Sequence, residues 1–417
     1  METEHRLAVV AAASDVRRAA LVAAALAFCA AGTRARAQDT VTEAVSVTAS
    51  DAQVLERERK GFRVESVGTR ITSFDQYGHG YQSQAGPIRG PGSERTTVLE
   101  PQLQVVVSQG DNLRHVLTVP VDIITAASPD AIDNGPSSID VVSGASRHNV
   151  AGTVDWAATY RTSSESDLSM NGGLHLEEPL RSWHGGLSTS RSFADGDTVV
   201  VARAIEVFDW FDRFDIAGHR HGRADRTSTT GSIAMTQIVT PTTVMSANYG
   251  LTVQQGELGN TWNSVPLAHG DRGPEVFPGK RVRHALVARS SQFLPWNGAL
   301  RLYYRLYGDD WGVLAHSFEA QLMQRLSAFL YVGALYRFHT QTGVDFFTPL
   351  APPTAHFRTA DSDLAPLDSH TLGGKVVIDV PIDSQVRALH FEVGYERYFR
   401  TNDLHMDIFT CATGYSF

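Results

Sequence analysis

"ALRLYYRLY" (residues 299–307) decides the fold. Leu300, Leu302, Tyr304 and Leu306 alternate with Arg301, Tyr303, Arg305 and Tyr307. Side chains of a β-strand point to opposite faces with period two, so this stretch carries one apolar face and one polar face. The same form recurs down the chain. "SFEAQLMQRL" (317–326) sets Phe318, Ala320 and Leu322 against Glu319, Gln321 and Arg325. "FLYVGALYRFH" (329–339) sets Leu330, Val332, Ala334, Tyr336 and Phe338 against Tyr331, Gly333, Arg337 and His339. "HFEVGYERYF" (390–399) sets Phe391, Val393, Tyr395 and Phe399 against His390, Glu392 and Glu396. Upstream, "PQLQVVVSQGDNLRHVLTVPVDIIT" (101–125) reads as a hairpin of two such strands around a "GDN" turn.

The connections alternate as well. Short ones are "QGDN", "TSSES", "ADGD", "VTPT", "LPWN", "LS" and "PIDS". Between them lie longer ones over 125–144, 206–225, 256–280 and 341–370, with "EEPLR", "GDDWG" and "RTND" as brief exceptions. Short turns at one end and long loops at the other are the wiring of an outer-membrane barrel. Strands starting near Phe62, Thr96, Asn112, Ser146, Asp167, Trp183, Thr198, Arg226, Thr242, Lys280, Gly298, Val313, Ala328, His370, Gln385 and Leu404 make about sixteen, with fourteen as the alternative count. The expected fold is all-β: a transmembrane antiparallel up-and-down barrel over residues 62–417. An even strand count sets both termini on the periplasmic side. A soluble sandwich shares the alternation. Its inner face would not carry Arg, Glu, Gln and His along its whole length, whereas the wall of a water-filled lumen would.

Composition sharpens this reading. Beyond the first forty residues no apolar run approaches the ~18 residues of a spanning helix, so the chain crosses a membrane with strands or not at all. Arg17 and Arg18 precede "AALVAAALAFCAA" (19–31) and "ARA" (35–37), which reads as a secretory signal peptide over 1–37, cut before Gln38. Residues 38–61 then form a flexible periplasmic segment. Removing 1–37 takes away five Arg and three acidic residues and moves the formal net charge from −9 to −11. That balance argues against nucleic-acid binding. Cys411 alone remains after cleavage, which excludes an internal disulfide and a Cys metal cluster; it reads as a small buried hydrophobe. No cofactor is implied.

The chain closes on "FTCATGYSF" (409–417). Phe409, Cys411, Thr413, Tyr415 and Phe417 share one face, which is lipid-facing in a barrel. A final strand must seal an open edge so that no unpaired backbone meets lipid. Tyr415 and Phe417 therefore read as the assembly signal that the barrel-insertion machinery recognises.

Two stretches, "YYRLYGDDWGVLAHSFE" (303–319) and "LYRFHTQTGVDFFTP" (335–349), resemble the bacterial outer-membrane family catalogued as domain of unknown function 3570. The matching residues are Asp309, Asp310, Trp311, Gly312, His316, Gln341, Asp345, Phe346 and Phe347. The resemblance is clearest after residue 295. It implies an outer-membrane barrel and no assigned activity, with a weak association to extracellular electron transfer. The absence of a haem-attachment "CxxCH" means that the chain would not itself carry electrons.

The candidate sites follow from the polar face. Arg301, Arg305, Glu319, Arg325, Arg337, His339, Glu392 and Glu396 are expected to line the lumen, where mixed signs orient polar solutes. "VDIITAAS" (121–128) and "IDVVSGAS" (139–146) echo each other, and Asp122 with Asp140 is a candidate cation pair. Calcium takes more oxygen ligands than such a pair supplies, so two tight strand ends are the plainer reading. "EVFDWFDRFDIAGHRH" (206–221) spaces Asp209, Asp212 and Asp215 by three before His219 and His221; an exposed aromatic loop competes with a metal loop there. "EAVSVTAS" (43–50) resembles the box that engages the energy-coupling protein TonB, but the mature chain is too short for the barrel and plug of such receptors. No "GxSxG" or "HExxH" appears. The expected function is a porin-like passive pore for small polar solutes, or a scaffold for an envelope complex. The alternatives are a barrel enzyme such as a lipid hydrolase, and a plugged, partner-binding barrel. Outer-membrane lipids and the insertion machinery are the expected partners, with other envelope proteins left open.

Overall fold

The computed structural model describes residues 61–78, 96–126, 149–178, 180–214, 219–259, 264–269, 272–383 and 387–417. The expected signal peptide, residues 38–60 of the expected periplasmic segment and the "EAVSVTAS" stretch lie outside the described residues.

The first nine strands are β1 (Phe62–Gly78), β2 (Thr96–Gln109), β3 (Leu113–Ala126), β4 (Asn149–Ser163), β5 (Ser166–Leu176), β6 (Leu180–Phe193), β7 (Thr198–Phe214), β8 (Arg220–Thr240) and β9 (Thr243–Gly256). A small hairpin of β10 (Ser264–Pro266) and β11 (Arg272–Pro274) follows within a loop. Then come β12 (Lys280–Leu294), β13 (Gly298–Asp309), β14 (Leu314–Arg325), β15 (Leu330–Gln341), β16 (Leu367–Asp383), β17 (Arg387–Arg400) and β18 (Leu404–Ser416). Leaving out β10 and β11, neighbours in the chain pair antiparallel and the sheet closes into a barrel of sixteen strands. The strand count and the up-and-down order read from the alternation are borne out.

Closure is made by β1 against β18, in register from Ser66↔Ser416 to Gly78↔Leu404. The Phe417 amide adds a bond to the Glu65 carbonyl at 2.9 Å. With every strand paired on both sides, no ladder of backbone groups is left open along the sheet. Gly78 ends β1 with φ 119, a backbone that a side chain rarely adopts, and a Cβ there would run into the Asp403 carbonyl.

Register assigns each residue to a face. Leu302, Tyr304, Phe318, Leu322, Tyr336, Phe391, Val393, Tyr395 and Phe409 are all exposed large apolar groups at alternating positions. Their neighbours in sequence face inward, and there charged side chains pair across strands. Cys411 corrects an expectation: it is exposed on the outer row beside Phe409, so it meets the apolar medium outside and not a packed core. The start of β1 and the end of β18 lie at one end of the barrel, with the short turns at 110–112, 164–165, 194–197, 241–242, 295–297 and 326–329. The longer connections lie at the other, together with the brief ones at 310–313 and 401–403.

Two of those connections are folded, which the alternation had not disclosed. Residues 257–279 and 342–366 carry bridges Leu267↔Ala351, Val276↔Arg358 and Phe347↔Thr359, and a 3-10 turn at Ser362–Leu364. The 206–225 connection is shorter than expected, because β7 continues to Phe214 and β8 begins at Arg220.

Candidate functional site

Begin at the loop end of β13. The Asp309 side chain is fully buried and paired with Arg281, whose Nε lies 2.9 Å from Asp309 Oδ2. Tyr307 Oη donates to the same oxygen at 2.7 Å. The other oxygen, Oδ1, accepts the backbone N–H groups of Trp311 and Val313 at 3.0 and 3.1 Å. One carboxylate thus satisfies a guanidinium, a phenol and two amides of a tight turn. A buried charge needs that many partners to offset its lost hydration. Asp310 fixes the turn to the preceding strand, β12, accepting the Val282 amide at 2.8 Å.

Trp311 projects into the loop packing and is 4% exposed. It stacks on Phe277 at 5.3 Å, meets Phe346 edge-on at 5.3 Å, and holds the Arg281 guanidinium 4.3 Å above its ring. Its indole N–H donates to the Lys280 carbonyl at 2.9 Å. Val313, Ala315 and Val344 complete the cluster, with Phe347 and Leu364 against it. Gly312 has φ 94, and any Cβ there would collide with the Asp345 carboxylate. The Asp345 amide in turn bonds to the Trp311 carbonyl at 2.9 Å.

The 342–366 connection is anchored on inward-facing residues. Gln341 Nε2 donates to the Asp363 and Ala365 carbonyls, each at 2.8 Å. Arg400, buried on the inward face of β17, bonds to Asp363 at 2.5 Å and to Ser362 Oγ at 3.1 Å. Because these anchors point inward, the connection folds over the mouth of the barrel as a cap on the β12–β17 side. Asp361 lies within this cap and its carboxyl is pushed up to about 7, first by burial and then by the neighbouring Asp363 carboxylate.

The family-motif residues divide in two. Asp309, Asp310, Trp311, Gly312, Asp345, Phe346 and Phe347 converge in the cap, with Gln341 at its base. His316 does not join them. It faces outward on β14, with Tyr304 Oη 2.7 Å from its Nδ1. The same pair recurs outside at Tyr249–His284, 2.8 Å, and Tyr336–His370, 2.9 Å. Sequence reading missed this repeat because the partners sit on different strands and only register brings them together.

The inward face carries the remaining candidates. Glu319 and Arg337 are register partners, bonded at 2.8 and 2.6 Å. Arg301 Nη1 reaches Gln321 Oε1 at 3.4 Å, and Arg305 stands 5.5 Å over the Tyr307 ring. Arg325 stands 5.8 Å over Tyr331 and donates to the Ser327 and Ala328 carbonyls. His339 contacts Ser317 Oγ at 2.8 Å and Gln341 Oε1 at 3.2 Å. Glu392 pairs with Lys375 at 3.6 Å, and Glu396 packs over Gly373. At the closing edge the Tyr415 and Phe417 rings meet edge-on at 4.7 Å.

Of the two metal readings, the Asp122–Asp140 pair falls partly outside the described residues, and the aspartate run of 206–221 is not assembled among the residues described. Asp122 faces inward on β3, while Asp140 lies outside the described residues. Asp209 and Asp212 do not converge, because a spacing of three in a strand sends them to opposite faces. Asp209 is bonded by Arg226 at 2.7 Å on the inward face, and Asp212 pairs with Arg220 on the outward one. Asp215 lies outside the described residues. Among the described residues no group of three or more His, Cys, Asp or Glu is arranged to hold a metal ion.

An apolar outer face around a closed antiparallel sheet, with charged side chains turned inward, defines an outer-membrane β-barrel. Residues 184–408 match the family described as protein of unknown function DUF3570, and the chain belongs to that family. Among curated proteins no sequence matches. Solved structures to which the chain is similar include a BenF-like porin from Pseudomonas fluorescens Pf-5, at 9% identity, covering 85% of this chain and 99% of that one, TM-score 0.43. They include Pseudomonas aeruginosa OccK2 (OpdF) in complex with glucuronate, at 9% identity over 85% and 96% of the two chains, TM-score 0.42. Pseudomonas aeruginosa OccK9 (OpdG) gives 11% identity over 84% and 97%, TM-score 0.40.

Proposed function

We propose that this barrel is a passive pore for small polar solutes. The observation that carries the reading is the inward face, which is charged from the turn end to the loop end. A barrel of about sixteen strands is wide enough to leave an aqueous channel, so these charges stay hydrated. The signs are unevenly spread, with Asp309 the acid among the arginines of β12 and β13, and Arg114 and Arg161 standing among the acids of β2–β5. Arg283, Arg289, Arg301 and Arg305 belong to β12 and β13. Glu100, Asp122, Asp155 and Asp167 belong to β2–β5, about half the circumference away in the strand order. Such an arrangement sets a field across the lumen that orients dipolar solutes and disfavours apolar ones.

In this proposal the end bearing the termini is periplasmic, and the cap faces the exterior. Tyr415 and Phe417 act before closure, as the feature read by the insertion machinery while the sheet edge is open. Single-channel conductance of the purified protein in a planar bilayer tests the pore; a silent barrel would overturn it. Phe417→Asp is expected to lower outer-membrane levels in cells far more than refolding yield in detergent. Equal losses would reduce Phe417 to a stability role of roughly 1.5–3 kcal/mol of burial.

The cap favours a second reading, a plugged scaffold that binds another envelope protein. It predicts silence for the intact chain and conductance once the cap is loosened by Asp309→Asn.

A further inference from the structure

Three tyrosine–histidine pairs stand on the outer face at one level. Tyr249, Tyr304 and Tyr336 are each the seventh residue of a strand that runs from the turn end to the loop end, β9, β13 and β15. Their partners His284, His316 and His370 lie on the adjoining strand, in register with Leu251, Leu306 and Phe338, two residues nearer the loop end. From one pair to the next, across two strands, the position slips by two residues toward the turn end. That slip is the stagger by which tilted strands keep equal height around a closed barrel. Neighbouring pairs are about 12 Å apart, from ~4.8 Å per strand and ~3.3 Å per residue. Eight steps along a strand tilted by about 40° put the histidines roughly 20 Å above the turn end, toward the loop-side edge of an apolar band about 25 Å tall.

The hydrogen bonds set the state of the rings. The phenol oxygens lie 2.8, 2.7 and 2.9 Å from Nδ1 of His284, His316 and His370. A phenol is a stronger acid than a neutral imidazole N–H, and beside an apolar medium its proton needs an acceptor, so the hydroxyl donates and Nδ1 accepts. The ring proton then sits on Nε2 in all three. Among the described residues nothing bonds to those Nε2 atoms. His370 is held further between its register partners Phe338 and Phe399, with ring centroids 5.2 and 5.3 Å away. Each ring is therefore a fixed N–H donor on the lipid face, without a protein acceptor, at the depth where headgroups begin. The acceptor abundant at that depth is lipid phosphate, and an N–H bonds an anionic oxygen more strongly than a neutral ester carbonyl. The fourth hairpin breaks the repeat: Tyr395 donates to Asp407 at 2.6 Å, and a carboxylate has no proton to offer.

We propose that His284, His316 and His370 form a row of sites for the phosphate groups of outer-leaflet lipids, with Tyr249, Tyr304 and Tyr336 as positioning residues. The inference uses the orientation proposed above and stands whether or not the barrel conducts. Native mass spectrometry of the full-length protein released from detergent counts bound lipid. The probes are diphosphoryl lipid A, the same lipid stripped of its phosphates, and inorganic phosphate. Diphosphoryl lipid A should bind at an about tenfold lower concentration than the stripped form, the ratio that one charge-assisted hydrogen bond supplies. Equal binding of the two overturns the site. A hundredfold excess of inorganic phosphate should leave the lipid in place; displacement would make the row a site for a free anion and overturn the lipid assignment. His284→Phe, His316→Phe and His370→Phe together should abolish the preference, and a preserved preference refutes the row. His316→Phe alone, at the central pair, should lower it. Changing the three tyrosines to Phe should reduce the preference without abolishing it, whereas Tyr395→Phe should leave it unchanged; equal behaviour refutes positioning by the phenols. Folding of each variant is checked by the mobility difference between boiled and unboiled protein on gels.

Discussion

Tyr304 and Arg305 are consecutive in the chain and face different solvents. Outside, Tyr304 turns its hydroxyl to the His316 ring, and the pattern recurs at Tyr249–His284 and Tyr336–His370. Inside, Tyr303 and Tyr307 offer their faces to Arg289 and Arg305. Near an apolar medium a phenol must find a local partner for its polar atom. On the inward face Tyr307 spends its hydroxyl on the Asp309 carboxylate, while its ring holds a cation. The role of a tyrosine is therefore set by its face and not by its type, and a substitution should be judged by the solvent it meets.

The largest contrast lies where the inward face becomes dry. Asp309 is the one acceptor shared by Arg281, Tyr307 and two backbone amides in the cap. Asp309→Ala is expected to destabilise the cap by about 3–5 kcal/mol, because it strands a buried guanidinium. Trypsin cleavage at Arg358 in the folded barrel is the readout. Unchanged protection would mean that the aromatic cluster around Trp311 holds the cap without the carboxylate.

Next comes the comparison of faces itself. Leu302→Arg should cost about 2–4 kcal/mol near the bilayer midplane and lower the yield of inserted barrel. Ser317→Arg, on the inward face, should insert almost normally. If the inward substitution is the damaging one, the face assignment is wrong by one residue, since a one-residue slip exchanges every side chain.

A smaller effect separates the cap from the strands by pH. Burial raises the Asp361 carboxyl to about 7, from an ordinary value of 3.8, with Asp363 adding to the rise and Arg400 and Arg281 opposing it. The folded cap thus holds a proton that the unfolded chain gives up at lower pH. Its contribution to stability is intact below about 3.8 and is lost as pH rises through about 7. Cleavage at Arg358 should be slower at pH 5 than at pH 8, and Asp361→Asn should flatten the difference. The same pH dependence in the Asn variant would assign it elsewhere.

The smallest effect is on the outer surface. Tyr304→Phe leaves His316 without its hydroxyl partner and should cost about 0.5–1.5 kcal/mol, seen as a modest fall in the thermal midpoint of the inserted barrel. No change would mean that interfacial water replaces the phenol.

The period-two pattern was enough to read the barrel, because alternation is a local property: whichever strand pairs with 299–307, Leu302 and Arg301 must part. The sixteen strands, their up-and-down order, the two faces and the closing row from Phe409 to Phe417 were all legible on that ground. The same logic explains why the aspartates of 206–221 misled. A spacing of three looks like a cluster in a loop, but in a strand it divides Asp209 from Asp212. The cap was not legible. "GDDWG" marks a turn, but nothing near it says that Asp309 will take Arg281, that Phe277 and Phe346 will close on Trp311, or that Arg400 will hold Ser362 and Asp363 across the mouth. Those contacts join residues many positions apart, and so do the tyrosine–histidine pairs outside and the arginine–tyrosine pairs on neighbouring strands inside. Local periodicity determines which way each side chain points; register and loop packing, settled only when the sheet closes, decide what it meets there.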